Sequence, residues 1–226
     1  MKSIFLLIIV FISLTSRGNA QDLQNSSSLL EIQNLTPVRV NISEEFYQGK
    51  KSLKVVDAGE NTEVKFLKIN HLNFKDGIIE IDLTGKPAEN SSEQARGFVG
   101  IAFRINQDNS KFECIYLRPT NGRAQDQVRR NHSVQYISFP DYPWQTLRRE
   151  FPEKYESYVD LEPGVWTKVR IEVKGNQAKL FVHGNAQPTL LINDLKHGPD
   201  QQGSIGLWIG PGTEAYFTNL VVSGIE

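Results

Sequence analysis

Apolar and polar residues alternate along two neighbouring segments, residues 97–105 and 112–118, and the two faces so defined differ in kind. One parity is apolar and consists of Val99, Ile101, Phe103, Ile105, Ile115 and Leu117. The other holds small, aromatic and cationic residues, namely Gly100, Ala102, Arg104, Cys114, Tyr116 and Arg118. Because successive side chains alternate across a strand, the pattern predicts a hairpin with one core face. A solvated face carries mixed polar residues instead, so the second face is predicted to bind a ligand.

Short apolar runs separated by turn residues predict further strands. They lie around Phe46 and over residues 53–56, 64–69, 77–83, 166–173, 178–183, 204–209 and 216–222. The pairs Gly175-Asn176 and Gly184-Asn185 are typical of turns between antiparallel strands. Residues 204–209 repeat the pattern of the hairpin, whereas residues 166–173 carry mixed charge opposite their apolar parity. The pattern therefore predicts an all-β, two-sheet antiparallel sandwich, with these two strands in different sheets.

Residues 119–164 form a segment far longer than a normal connection. It is rich in aromatic residues, which favour a packed structure: Tyr136, Phe139, Tyr142, Trp144, Phe151, Tyr155 and Tyr158. Residues 134–138 could form a strand, and residues 143–150 a short helix with a proline at its start. From Arg118 to Arg149 there are six arginines against two acids, Asp126 and Asp141. We expect this basic insertion to cover or rim the binding face.

Net charge and the N-terminal residues indicate which partners and which cellular compartment to expect. The 226-residue chain has a formal net charge of −1, which indicates no general affinity for nucleic acid. Residues 1–20 combine Lys2, an apolar run and small residues at Gly18 and Ala20, the order of a secretory signal peptide. That run is too short to span a membrane. We therefore expect residues 21–226 to be a single extracytoplasmic domain, periplasmic or secreted; Cys114 is alone and forms no internal disulfide.

Several runs resemble the concanavalin A-like lectin/glucanase superfamily, and most closely its 3-keto-disaccharide hydrolase branch. They are Gly-Phe-Val-Gly-Ile-Ala-Phe-Arg at residues 97–104, Pro-Gly-Val-Trp at 163–166, Val-Arg-Ile-Glu-Val-Lys-Gly at 169–175, Gly-Ser-Ile-Gly-Leu-Trp at 203–208, and Gly212 followed by Phe-Thr-Asn-Leu at 217–220. The likeness covers residues 74–222 and implies a jelly-roll sandwich with carbohydrate on a concave sheet face. A structural calcium, common in the superfamily, is not located by the sequence. Members include hydrolases, lyases and binding modules, so function must be argued from the site.

Candidate catalytic residues are Glu80, Asp82 and His132. Family 16 glycoside hydrolases carry a Glu-x-Asp-x-(x)-Glu strand, and this chain matches its first two acids with Glu80 and Asp82. The third position is Thr84 or Gly85, neither of which can act as the acid of a retaining mechanism. Asp82 could instead pair with Arg104 across strands. His132 is the only histidine of the insertion and is a candidate base or an ordinary surface residue.

The predicted concave face presents Glu80, Asp82, Arg104, Tyr116, Arg118 and Trp208. Further ligand-binding candidates come from the insertion: Arg130, Gln135, Tyr136 and Trp144. Arg104 occupies the position of an arginine in the branch, whereas Trp208 replaces its usual glutamine, which weakens the transfer of that activity. An exposed Trp208 beside Gly206 could stack on a sugar ring, or the indole could pack beneath the insertion.

Three functions remain open. The first is a secreted carbohydrate-binding protein, the second a glycoside hydrolase or lyase of the 3-keto-disaccharide hydrolase type, and the third a structural or partner-binding module. The arginines of the insertion predict an acidic glycan, because guanidinium groups match carboxylate or sulfate geometry. Alternatively, these arginines form ion pairs with nearby acids and hold the insertion in place. The candidate partners are Asp126, Asp141, Glu150 and Glu153.

Overall fold

Two antiparallel seven-stranded sheets pack face to face in the computed structural model, which describes residues 35–60 and 62–224. The predicted signal peptide, residues 1–20, lies outside the described residues. In chain order the strands are β1 (Leu35–Val38), β2 (Val40–Tyr47), β3 (Lys50–Asp57), β4 (Phe66–Phe74), β5 (Gly77–Pro87), β6 (Val99–Ile105), β7 (Phe112–Leu117), β8 (Val134–Phe139), β9 (Glu156–Ser157), β10 (Thr167–Lys174), β11 (Gln177–Val182), β12 (Leu190–Ile192), β13 (Gly203–Ile209) and β14 (Thr213–Ser223). The helical elements are a 3₁₀ helix (Pro119–Asn121), α1 (Gln127–Asn131) and α2 (Trp144–Glu150).

The first sheet has the order β1-β4-β13-β6-β7-β8-β9 and the second the order β12-β11-β10-β5-β14-β3-β2. The predicted fold class is therefore confirmed: the described chain is nearly all β and forms a two-sheet antiparallel sandwich. The division of strands is confirmed as well, because β13 lies beside β6 in the first sheet and β10 lies in the second. No helix in the described ranges is long and apolar enough to cross a membrane.

The core lies between the sheets and follows the predicted alternation. Ile79 and Ile81 of β5 are buried, as are Val99 and Ile101 of β6. Gly85 allows the sheets to approach closely, because a Cβ atom at this position would lie 2.9 Å from the Cβ of Val99. The alternation of period two thus identifies the side of each strand that loses contact with water.

A β-bulge interrupts the alternation at the end of β6. Ala102 pairs with Gly206, but Ile105 pairs with Ser204, so β6 has one residue more than β13 between these pairs. Arg104 adopts a positive φ of 53°, a conformation that is uncommon for a residue with a side chain. The bulge places Ile105 on the outer face of the first sheet and turns Arg104 towards the end of the sandwich. Strict alternation was therefore the wrong expectation for these two residues.

The long segment supplies two strands to the first sheet. The predicted strand at residues 134–138 is β8, and the predicted helix at residues 143–150 is α2, which packs against β8 through buried Leu147. The strands β1, β9 and β12 and the helix α1 were not predicted. Each has five residues or fewer, so its sequence is too short to show a period and pairing with neighbouring segments determines its structure.

Candidate functional site

One row of side chains crosses the outer face of the first sheet from β4 to β9. The register aligns Phe66, Trp208, Gly100, Tyr116, Gln135 and Glu156. The row that follows along the strands is Lys68, Gly206, Ala102, Cys114 and Ile137. One end of the first row is therefore aromatic, the other end is polar, and the second row is mostly small or apolar.

The space above the small residues is filled by the chain itself. A Cβ atom on Gly206 would lie 2.8 Å from Cδ1 of Ile105 and 3.1 Å from the side chain of Phe66. The ring of Phe66 also meets that of Phe112 edge to face, with centroids 5.6 Å apart. The small residues in the middle of the face thus accommodate the protein's own apolar side chains, not an open ligand platform.

Arg118 is the centre of the polar end of the face. Its Nη1 donates to Oε1 of Glu156 at 3.1 Å and to the carbonyl of His132 at 3.3 Å, and its Nη2 donates to Oε1 of Gln135 at 3.1 Å and to the hydroxyl of Tyr116 at 3.0 Å. Burial raises the pKa of the Tyr116 phenol, so this hydroxyl is neutral. The Nε of Arg118 is buried and has no hydrogen-bond acceptor among the described residues. The guanidinium is therefore held rigidly while one donor remains unused.

Three rings surround this guanidinium. Its Cζ lies 5.2 Å from the ring centroid of Tyr116, 5.5 Å from that of Phe98 and 5.7 Å from that of Trp144. Phe98 and Trp144 are only partly buried. The unpaired donor thus lies among aromatic surfaces of which two still reach solvent.

Glu156 joins three side chains, those of Arg118, Arg148 and His132, into one cluster. It accepts from Nε of Arg148 at 3.0 Å and from Nη2 of the same guanidinium. Burial raises the pKa of Glu156, but the hydrogen bond and charge of Arg148 and the charge of Arg118 outweigh burial and keep the pKa below its usual value. Nδ1 of His132 lies 3.0 Å from Oε1 of Glu156. Burial lowers the pKa of His132, although the charge of Glu156 partly opposes this.

A cavity of about 330 Å³ opens beside His132 and Glu156 at the β9 edge. Val128, Asn131 and Tyr158 form part of its wall. Arg130 lies at this rim, where its Nη2 donates to the hydroxyl of Tyr158 at 2.9 Å. We call the residues Tyr116, Arg118, His132, Gln135, Trp144, Arg148 and Glu156 the Arg118 cluster; with this cavity they form the candidate site.

Five residues predicted from the sequence meet in this cluster, Arg130 lies at its rim, and five others lie elsewhere. Glu80 and Asp82 belong to β5 and project from the outer face of the second sheet, so the expectation that they share a face with Trp208 was wrong. Asp82 accepts from Nζ of Lys50 and from Nδ2 of Asn219, each at 2.8 Å. The alternative pairing of Asp82 with Arg104 is also wrong, because these residues lie in different sheets.

Two further predicted ligand-binding residues, Tyr136 and Trp208, are internal. Tyr136 faces the core and donates its hydroxyl to Oε2 of Glu113 at 2.7 Å, because neighbouring residues of β8 point to opposite faces. Trp208 is fully buried; its Nε1 donates to the carbonyl of Glu63 at 2.7 Å and its ring lies 4.7 Å from that of Tyr116. The indole therefore packs within the protein and is not an exposed stacking surface.

Arg104 does not reach the outer face. Its guanidinium donates to the carbonyls of Lys75, Gly198 and Gly175 at 2.9–3.0 Å and to Oδ1 of Asp76 at 3.1 Å. These partners belong to loops of both sheets, so Arg104 ties the ends of the sandwich together.

Glu156 was missed as a site residue, and so was Phe98, whose ring lies beside the cluster; Arg148 was expected only as one of the arginines of the insertion that bind an acidic group. Glu156 follows Arg118 by 38 positions and lies in a two-residue strand, so no local pattern brings them together. The available signal was chemical: a guanidinium predicted to lie on a sheet face requires a carboxylate when it is buried.

The arginines of the insertion have partners within the chain. These are Glu156 for Arg118 and Arg148, Asp160 and Glu162 for Arg123, Thr120 and Asn121 for Arg129, Tyr158 for Arg130, and Glu150 for Arg149. Of the four acids proposed as partners from the sequence, only Glu150 forms such an ion pair. Most of these guanidinium groups therefore hold the insertion in place.

The structural calcium implied by the resemblance has no recognisable ligand set here. Within residues 35–60 and 62–224, no group of three or more His, Cys, Asp or Glu side chains is arranged to hold a metal ion.

No family model matches the chain, and no curated protein matches it. Among solved structures, a carbohydrate-binding module from Bacillus subtilis is 14% identical, with a TM-score of 0.51 over 86% of this chain and 98% of that one. A Bacillus subtilis protein with a galectin-like fold is 12% identical, with a TM-score of 0.52 over 86% and 91% of the two chains. A sialidase is 12% identical, with a TM-score of 0.50 over 91% of this chain but 18% of the sialidase. At such identities the likeness shows the fold alone, a sandwich of the galectin-like type.

Proposed function

We propose that this protein binds a glycan through the Arg118 cluster, in an extracytoplasmic setting. The observation that carries the proposal is the Nε of Arg118, a buried donor of a guanidinium that four partners fix, with no acceptor of its own in the described chain. A sugar oxygen would satisfy it once the half-buried rings of Trp144 and Phe98, which lie beside the guanidinium, move aside, and these rings offer apolar surface to the sugar C–H groups. Similarity in fold to a carbohydrate-binding module supports this proposal.

The charge of the cluster favours an acidic group on the glycan. Arg118 and Arg148 form ion pairs with one ionised carboxylate, that of Glu156. The carboxyl of Glu63 also interacts with Arg118, but burial raises its pKa and so disfavours its charge. Because burial lowers its pKa, His132 adds no positive charge at neutral pH. The remaining positive charge and the free Nε–H of Arg118 suit a carboxylate or sulfate oxygen. The acidic-glycan hypothesis thus rests on these two arginines and no longer on the whole insertion.

A glycan-binding screen followed by calorimetry tests the proposal. Trp144→Ala should weaken binding roughly tenfold, because the stacking surface is lost. Arg123→Ala is the matched control, since this exposed arginine of the same segment pairs with Asp160 and should leave affinity unchanged. Binding of an acidic glycan should weaken as salt shortens the screening length from about 10 Å at 0.1 M to about 3 Å at 1 M.

Two outcomes of this screen count against parts of the proposal. Salt-independent binding of neutral sugars alone would refute the acidic ligand and leave glycan binding in place. If no glycan binds, or if Trp144→Ala binds as the wild type does, glycan recognition by this cluster is wrong and a partner-binding role gains support.

A lyase acting on an acidic glycan is the second candidate function. It is favoured by His132, whose Nδ1 lies 3.0 Å from Oε1 of Glu156 without an aligned hydrogen bond and whose lowered pKa favours the neutral ring. With its proton on Nδ1, the ring could accept a proton at Nε2 from the carbon next to a uronate carboxylate held by Arg118. Elimination would then break the glycosidic C–O bond, and solvent would protonate the leaving oxygen. Glu80 and Asp82 take no part, since they lie on the other sheet.

The lyase is tested by incubating the purified protein with the glycan that it binds and recording ultraviolet absorbance of the unsaturated product. His132→Gln should abolish product formation and leave the dissociation constant within about twofold, because the amide keeps polarity without basicity. Binding without any turnover by the wild type would exclude the enzyme and leave the binding protein.

A further inference from the structure

A second polar groove lies on the same outer face, at the opposite end of the strands from the Arg118 cluster. Its volume is about 490 Å³, and its walls come from β4, the turn between β6 and β7, and the start of β13. Side chains that line it include Lys68, Leu72, Asn73, Gln107, Gln202 and Ser204. The bulge at Arg104 contributes to this wall as well, because it places the side chain of Ile105 there.

Most polar side chains of the groove can both donate and accept hydrogen bonds. Asn73, Gln107 and Gln202 are exposed and carry amides, and Ser204 adds a hydroxyl. Amides and hydroxyls match the hydroxyl groups of a sugar, which also donate and accept. Leu72 and Ile105 supply apolar surface beside them. The groove therefore has the mixture of a few polar groups and apolar area that is typical of small-ligand sites.

The groove suits a neutral ligand. Its only charged lining residue in the described chain is Lys68. The Nζ of Lys68 donates to the carbonyls of Asn106 and Gln107 at 3.1 and 3.2 Å and to Oδ1 of Asn109 at 2.7 Å. An ammonium group has three donors, so all are used and none remains for an anion. Burial also lowers the pKa of Lys68.

We propose that this groove is a second glycan-binding subsite, which takes neutral sugar units of the oligosaccharide whose acidic unit occupies the Arg118 cluster. The inference rests on the proposed function of that cluster. From β4 to β9 the face spans five strand spacings, about 24 Å, so only a long oligosaccharide reaches both sites. Joining two weak contacts in one ligand raises affinity, because the second contact forms within the complex.

Calorimetry with a disaccharide and an octasaccharide of the glycan identified in the screen tests the subsite. The wild type should bind the octasaccharide at least tenfold more tightly than the disaccharide. The double variant Gln107→Ala/Gln202→Ala should lose most of this gain and leave disaccharide affinity unchanged; both side chains are exposed, so folding is preserved. Asn185→Ala, an exposed amide beside a cavity of the second sheet, is the matched control and should bind both ligands as the wild type does.

The outcomes separate the two proposals. Equal affinity for both lengths, or full octasaccharide affinity in the double variant, would refute the subsite and leave the Arg118 cluster untouched. A roughly tenfold weaker affinity of Trp144→Ala for the disaccharide supports the first site independently of ligand length. If neither oligosaccharide binds to the wild type, both proposals fail together.

Discussion

Arg104 is buried at the end of the sandwich although it carries a full charge. Four acceptors satisfy its guanidinium: the carbonyls of Lys75, Gly198 and Gly175 and the carboxylate of Asp76. These hydrogen bonds are partly buried, and a hydrogen bond that involves a charged group contributes roughly 1.5–3 kcal/mol when its acceptor cannot turn to water instead. A residue that the sequence suggested as a ligand contact is therefore a structural tie between loops of the two sheets.

Arg104→Met should lower the free energy of unfolding by roughly 2–4 kcal/mol, because the apolar side chain leaves these carbonyls without donors. Urea denaturation followed by tryptophan fluorescence measures this change. Arg123→Met is the control, since its ion pairs are exposed and should contribute less than about 1 kcal/mol. Equal effects of the two substitutions would contradict the structural role of Arg104.

At the scale of elements, the two-residue strand β9 connects parts of the chain that are distant in sequence. Glu156 lies on β9, Arg148 on helix α2, and Arg118 directly after β7. Their ion pairs fasten α2 and the edge strand to the sheet and also orient the guanidinium of the candidate site. Removing one partner of a buried pair costs more than the pair contributes, because the other charge stays buried.

Glu156→Gln should therefore destabilise the protein by roughly 3 kcal/mol, since Arg118 keeps a buried charge without its carboxylate. Glu150→Gln tests the specificity of the effect: its partner Arg149 is exposed, and the expected change is within about 0.5 kcal/mol. Thermal or urea unfolding of both variants measures the difference. A Glu156→Gln protein as stable as the wild type would show that the cluster does not hold α2 to the sheet.

For the whole molecule, His197 makes stability depend on pH. Its ring is almost completely buried, and within the described chain its Nε2 has no hydrogen-bond partner. Burial lowers its pKa from 6.5 to about 4; the charge of Lys111 acts in the same direction and that of Asp141 opposes it. Glu113 faces the same residue and accepts from its main-chain N–H at 3.0 Å.

The sign of this dependence follows from proton binding. Between about pH 6.5 and 4 the unfolded chain binds a proton on His197 that the folded chain does not, so stability falls as the pH falls through this window. The full effect corresponds to roughly 3 kcal/mol. Unfolding free energies of the wild type and of His197→Gln at several pH values should differ in slope across this window; parallel curves would refute the assignment.

Much of the fold could be predicted from the sequence, because a strand shows its period over a few residues. The alternation in β6, β7, β10 and β13 identified their core faces and assigned β10 and β13 to different sheets. It failed at Arg104, where one extra residue inverts the faces, and in the shortest elements, where no period can develop.

The candidate site was only partly predictable. Tyr116, Arg118, Gln135, His132 and Trp144 lie near one another in sequence or on paired strands, so local reasoning brought them together. The tertiary structure alone decided three matters: that Glu156 neutralises Arg118 from 38 residues away, that Glu80 and Asp82 face away on the other sheet, and that Trp208 is internal. The physical reason is that side-chain alternation is local, whereas the pairing of strands and the neutralisation of buried charge depend on segments that meet only in the folded chain.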